Sequence, residues 1–210
     1  MKTFLFDIDG TLLDTREFII QATEYALKKY NYPPQDRTYI SSLVGSHFDE
    51  FYYKLTAERK NIKQLQEAHR EFQFNNMDLT TLFSDTINVL EELKNRGYIL
   101  AVVTSRSKKT SLLSLKHAGI LDFFKVIISD EDASALKPSP EPILIALKKL
   151  NSLASSTIMI GDSYLDVEAG LAAKTKTIRV LTGFHYNKLN EPKPDHIVNN
   201  LKEILNIDWS

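Results

Sequence analysis

From about residue 84 to the C-terminus, short apolar runs rich in β-branched residues alternate with segments of helical periodicity. That alternation restricts the chain to α/β folds in which parallel strands are joined by crossover helices. Tyr98-Ile99-Leu100-Ala101-Val102-Val103, Lys125-Val126-Ile127-Ile128-Ser129 and Thr157-Ile158-Met159-Ile160 lack polar alternation, as strands buried on both faces do. Ahead of the first of them, Ile87, Leu90 and Leu93 mark the apolar face of one crossover helix, with Gly97 beyond its end. A second such helix begins near Ser139-Pro140 and carries Ile143, Leu144, Leu147 and Leu150. In doubly wound sheets of this kind, ligands sit outside the carboxyl ends of the strands.

The segments that follow those carboxyl ends carry the chemistry. At the N-terminus, Phe4-Leu5-Phe6 runs into Asp7-Ile8-Asp9-Gly10-Thr11. Residues two apart on an extended chain point to one side, so Asp7 and Asp9 can converge on one ligand. Gly10 permits a tight turn that can open backbone groups towards it. An EF-hand loop needs glycine at its sixth place and glutamate at its twelfth. Here glycine comes fourth and Phe18 holds the twelfth place, which leaves a ligand-free surface turn as the alternative.

Three further segments bear on that choice. Thr104-Ser105 ends one strand and opens a helix, where a hydroxyl and free amides can either hold phosphate or merely cap the helix. Lys137 lies between Leu136 and Pro138 in a proline-rich loop, placed as a fixed charge for phosphate or crowded carboxylates, or as a solvated surface lysine. Gly161-Asp162-Ser163-Tyr164-Leu165-Asp166 repeats the strand-then-aspartate design, although aspartate at a helix start is often only a cap.

In this order the four segments resemble the motifs of the haloacid dehalogenase superfamily, in its branch of phosphoglycolate-phosphatase-like and phosphoglucomutase-like members. The resemblance spans nearly the whole chain. It implies a Rossmann-like, doubly wound parallel sheet core at 1–14 and 84–210, with an inserted small all-helical cap at 15–83. It implies Asp7 as the nucleophile that forms an aspartyl-phosphate, and Asp9 as the acid and then base. Magnesium would be held by Asp7, Asp162 and the Asp9 backbone carbonyl, and phosphate by Asp7, Gly10, Thr104, Ser105 and Lys137. Asp166 would orient Lys137 or a metal-bound water. Asp9 also sets the chain apart from halide-removing relatives, which lack this acid. Two departures stand out: Lys174 where relatives often have glycine, and Arg106-Ser107 in place of the commoner asparagine-lysine.

The implied reaction is hydrolysis of a small phosphomonoester of phosphoglycolate, sugar phosphate or nucleotide type. A phosphomutase or a pyrophosphatase is the alternative, and a non-catalytic binding protein is the third possibility, since fold alone never fixes function. Related caps carry a specificity loop near Gly45-Ser46-His47, where His47 is either a substrate contact or a surface residue. No arginine follows Gly45, which weakens the mutase reading. The cap aromatics Phe48, Phe51, Tyr52, Phe72 and Phe74 are expected to form the cap's own core. Its hinges are expected near Leu12–Asp14 and Thr80–Phe83, so that closure would exclude water. His69, His117, His185 and His196 have no paired metal-ligand spacing and are assigned structural or surface roles.

At 210 residues and 43% hydrophobic, the chain can bury one substantial core and a small accessory domain. A formal net charge of -1 gives no global attraction to nucleic acid or anionic membrane. Cysteine is absent, which excludes disulfides, thiolate catalysis and cysteine-ligated zinc. With no signal pattern after Met1 and no long apolar run, the expected location is cytoplasmic. The expected partner is a small phosphorylated metabolite, and oligomeric state is not legible.

Overall fold

The computed structural model describes residues 1–184 and 192–209. Its centre is a parallel sheet built from β1 (Thr3–Phe6), β4 (Ile99–Val103), β5 (Val126–Ile128), β6 (Thr157–Gly161), β7 (Lys176–Val180) and β8 (His196–Val198), in the spatial order β5-β4-β1-β6-β7-β8. The chain thus starts in the middle, grows outward on one side through β4 and β5, then crosses β1 to add β6, β7 and β8. Phe6 lies in register with Val102 on one side and Ile160 on the other, which aligns the ends of the three central strands.

The two faces of the sheet explain the unbroken apolar runs. Phe4, Phe6, Leu100, Val102, Ile158 and Ile160 face one layer, together with Leu90 and Leu93 of α5 (Thr86–Asn95) and Leu115 of α6 (Lys108–His117). Leu5, Ala101, Val103 and Met159 face the other, against Ile143 and Ala146 of α7 (Glu141–Leu150) and Ala169 of α8 (Tyr164–Ala172). Successive side chains go to opposite faces and both are covered, so neither face selects polar residues.

Each of the two expected helix faces has one residue that lies off the buried stripe. In α5 the buried positions are Thr86, Val89, Leu90 and Leu93, while Ile87 is 40% exposed. In α7 they are Pro142 and the stripe Ile143, Ala146, Leu147 and Leu150, while Leu144 is 48% exposed. Each exposed residue sits roughly 100° round the helix from the first member of a stripe spaced i, i+3, i+4 and i+7.

Between β1 and β4 the chain forms α1 (Arg16–Lys29), α2 (Arg37–Ser42), α3 (Phe48–Thr56) and α4 (Ile62–Asn75). They enclose their own apolar cluster around Ile20, Leu27, Ile40, Tyr52 and Leu65. The Tyr32-Pro33-Pro34 stretch falls between α1 and α2, where proline's missing N–H costs no helical bond. The connections to and from this helical block pair as a two-stranded antiparallel ribbon of β2 (Leu13–Asp14) and β3 (Thr81–Leu82). Strand character at Thr81–Leu82 was not expected from the sequence, because two residues give no readable periodicity. The ribbon is pinned to the core where the Thr86 hydroxyl donates to the Leu12 carbonyl at 3.0 Å.

Candidate active site

The carboxyl ends of β1, β4 and β6 deliver Asp7, Thr104 and Asp162 to one point. Asp7 continues the ladder past the strand, its N–H bonding to the Ile160 carbonyl at 2.9 Å, and Thr104 does the same to Ile128 at 3.0 Å. Each side chain therefore sits on a hydrogen-bonded backbone.

Lys137 reaches this point from the loop before α7. Its ammonium is 2.5 Å from Asp166 Oδ1 and 3.0 Å from Asp7 Oδ1, and donates to the Val103 carbonyl at 3.1 Å. Burial alone would lower its pKa, but the carboxylates of Asp166 and Asp7 outweigh that and hold it above the usual lysine value. The second oxygen of Asp166 accepts from the Ser163 N–H and hydroxyl at 3.2 and 2.7 Å. Asp166 is thus fully engaged within the protein. Space for it depends on Gly161, where an added Cβ would lie 2.1 Å from the Asp166 carboxyl carbon.

Asp162 is 4% exposed, and its Oδ2 accepts from the Phe184 N–H at 2.7 Å. Burial, then the nearby Asp166 and Asp7, push its carboxyl well above the ordinary range. Burial likewise raises Asp7 to about 6, with Lys137 opposing. Asp7, Asp162 and Asp166 each offer an oxygen within 4.8 Å of the others. With Asp166 committed to Lys137 and Ser163, the carboxylates of this cluster left to a cation are Asp7 and Asp162. Buried, mutually repelling carboxylates that offer hard oxygen donors fit magnesium.

Gly10 differs from expectation. Its N–H donates to the Leu13 carbonyl at 2.9 Å and its own carbonyl accepts from the Thr182 hydroxyl at 2.7 Å, so no donor is left for phosphate. Its φ of +74° and the fit against Asp162 are what require glycine: an added Cβ would lie 2.5 Å from Asp162 Oδ2. Gly183 closes the same contact, its Cβ position 2.2 Å from that oxygen and 2.5 Å from the Gly10 Cα.

A cavity opens above the carboxylates, between the sheet and the helical block, with about 960 Å³ of empty space including its mouth. Asp7, Asp9, Thr104, Ser105, Lys137 and Asp162 line its floor, and Gly45 and Ser46 its wall. His47 does not line it: its exposed ring turns back to cap α3, Nδ1 accepting from the Asp49 N–H at 3.3 Å. His185 lies outside the described residues. Phe48 and Phe51 reach the cavity as well as the cap's interior, so the aromatics are not confined to the cap core.

Sequence reasoning missed the α4 side of the cavity, where His69, Arg70 and Gln73 stand. His69 is 3% exposed, with Nδ1 at 2.8 Å from the Tyr52 hydroxyl. Burial first, then the charges of Arg106 and Arg70, bring it down to about 3, so it is neutral. The signal lay in the spacing of Gln66, His69, Arg70 and Gln73, a polar i, i+3, i+4, i+7 stripe facing inward.

Comparison with known proteins agrees with this geometry. Residues 4–180 match the model of the haloacid dehalogenase-like hydrolases. The pyrophosphatase PpaX of Bacillus pumilus (strain SAFR-032) is 35% identical over 211 residues, 99% of this chain and 96% of that protein. PpaX of Bacillus velezensis (strain DSM 23117 / BGSC 10A6 / LMG 26770 / FZB42) is 34% identical over 209 residues, with the same coverage of both. The structure of a predicted phosphoglycolate phosphatase from Haemophilus somnus 129pt superposes with a TM-score of 0.91 at 25% identity, covering 98% of this chain and 97% of that one.

Proposed function

Because the chain belongs to the haloacid dehalogenase-like hydrolase family and is an enzyme of that family, we propose that it removes phosphate from a small phosphorylated metabolite through an aspartyl-phosphate on Asp7, with magnesium as cofactor. The observation that carries this reading is Asp7 itself, a buried carboxylate 3.0 Å from the Lys137 ammonium and two residues before a second cavity-lining acid. Asp7 is ionised above about pH 6 and so is nucleophilic at neutral pH.

In this reading Lys137 holds Oδ1 of Asp7 and thereby fixes the carboxylate for in-line attack on phosphorus. The Thr104 hydroxyl and Ser105 bind the equatorial oxygens, where negative charge must be accommodated. Asp9 gives a proton to the leaving oxygen as its bond to phosphorus breaks. It then takes a proton from the water that attacks the aspartyl-phosphate, releasing phosphate and restoring Asp7. Asp166 keeps Lys137 in place. Asp7, Asp162 and the Asp9 backbone carbonyl would hold magnesium, which would offset the repulsion between Asp7 and the anionic phosphoryl group. Residues 15–83 act as a cap that turns on the β2–β3 ribbon and excludes water when closed.

A second reading is pyrophosphate hydrolysis, which the names of the curated relatives favour and which uses the same residues. No helix among the described residues is long and apolar enough to cross a membrane, in keeping with a small water-borne substrate. The test is phosphate release from a panel of phosphomonoesters, nucleotides and pyrophosphate in magnesium, with Asp7→Asn protein as the blank. Release from a panel member that stops in excess EDTA and returns with magnesium supports the proposal. Full activity in EDTA, or activity in the Asp7→Asn protein within tenfold of wild type, overturns it.

A further inference from the structure

The proposed catalysis uses Asp7, Asp9, Thr104, Ser105 and Lys137 and leaves the opposite wall of the cavity without a role. That wall holds two guanidinium groups. Arg106 comes from the core, its side chain 9% exposed, with Nη1 3.4 Å from Asp9 Oδ1. Its Nη2 is buried and has no hydrogen-bond partner. Leaving a buried donor unpaired is costly, and an ordered water or a ligand in the adjoining cavity can match it. Phe18 covers the guanidinium from one side, 5.4 Å away, so the remaining free direction is the cavity.

Arg70 faces it from α4. The guanidinium lies 5.2 Å from the Phe48 ring centroid and makes no ion pair among the described residues. Arg70, Arg106 and the neutral ring of His69 line the same cavity, and both arginine charges act on that ring. One turn along α4, Gln73 is 7% exposed, lines the cavity and has no side-chain hydrogen bond among the described residues. Asp130 is the acid on this wall, and burial followed by Glu131 raises it to about 7. Asp9 pairs with Arg106, so the guanidinium on this wall without an ion-pair partner among the described residues is that of Arg70.

We propose that Arg106, Arg70 and Gln73 form a second anion subsite, so that the preferred substrate carries its own negative charge on the leaving group, as a phosphate or a carboxylate a few atoms from the bond that breaks. This rests on the phosphatase reading above. The side is fixed by Asp9, which protonates the leaving oxygen and is the ion-pair partner of Arg106. A guanidinium that spends Nη1 on Asp9 and offers Nη2 to the leaving group ties the acid to the group it must protonate. Planar guanidinium donors suit phosphate and carboxylate oxygens, and an amide beside them adds a neutral donor. The subsite draws Arg106 from the core and Arg70 and Gln73 from the helical block, so a doubly anionic substrate would bridge the two.

The test compares kcat/KM for pyrophosphate and 2-phosphoglycolate, whose leaving groups are anionic, with phenyl phosphate, whose leaving group carries no further charge. Wild-type protein, Arg106→Gln, Arg70→Gln and Arg106→Lys are assayed in magnesium. Wild type is expected to prefer one of the anionic pair, and which one it prefers separates a phosphate-reading from a carboxylate-reading subsite. Each Gln variant should lose about ten- to a hundredfold more on that substrate than on phenyl phosphate, chiefly through KM, with partial return in Arg106→Lys. Equal losses on both classes, or a wild-type preference for phenyl phosphate, would overturn the subsite while leaving the phosphatase reading standing. Release from none of the three, nor from any other phosphate compound, would remove the phosphatase reading and the subsite with it. Arg70 lies on the helical block away from the sheet, so its variant decides the matter if Arg106→Gln fails to fold.

Discussion

The Lys137 ammonium binds Asp166 at 2.5 Å and Asp7 at 3.0 Å, so one buried cation joins a carboxylate from β1 to another from α8. Asp166→Asn would turn an amide nitrogen towards Lys137, since Ser163 claims the remaining oxygen. Losing one partner of a buried pair costs about 3–5 kcal/mol, and somewhat less here because Asp7 and the Val103 carbonyl stay with Lys137. The expected result is a destabilisation of about 2 kcal/mol by denaturant titration, with kcat reduced more than about tenfold. Wild-type stability and turnover together would show that Lys137 needs no anchor.

Asp7→Asn separates chemistry from folding. The wild-type carboxyl is raised to about 6 by burial, which means its ionised form is tolerated at a cost. An isosteric amide removes that cost along with the nucleophile. Turnover should fall by more than about a thousandfold while the melting temperature stays at or above the wild-type value. A large drop in melting temperature would show that the Asp7 charge, rather than its reactivity, holds the site together.

Asp7, Asp9 and Asp162 were legible because their information is local. An apolar strand followed by Asp7-Ile8-Asp9 fixes where both carboxylates emerge, and the run before Asp162 does the same. Lys137 was legible only through its place in the order of motifs. His69, Arg70 and Gln73 were not, because their meaning depends on which face of α4 lines the cavity. His47 shows the converse: it stood beside cavity-lining Gly45 and Ser46 in sequence, yet the start of α3 turns it outward. Lys174, noted as standing where relatives often have glycine, adopts a φ of +61°, the conformation glycine tolerates best.

Gly183 was also missed, since nothing in a lone glycine announces that it packs against Gly10 from the far end of the chain. Gly183→Ala should displace Asp162, because the new Cβ position lies 2.2 Å from its Oδ2. We expect the magnesium concentration for half-maximal activity to rise about tenfold or more, with the fold retained by circular dichroism. An unchanged magnesium requirement would mean that the Asp162 carboxylate shifts without consequence for the cation.

His69 gives the helical block a pH dependence whose sign can be worked out. Its folded pKa is depressed to about 3 from 6.5, so between those values the unfolded chain binds a proton that the folded protein refuses. Stability from this residue is complete above pH 6.5 and is lost progressively as the pH falls towards 3. Each unit of pH below 6.5 costs about 1.4 kcal/mol, so acidification from 7 to 5 should remove about 2 kcal/mol. In His69→Gln the non-titrating amide should be less stable at pH 7, where the packed imidazole is lost, and should show a flatter profile from 7 to 5. Denaturant titrations at both pH values decide it: parallel pH profiles in the two proteins would mean that His69 is solvated on acidification rather than held neutral beside Tyr52 and the two arginines.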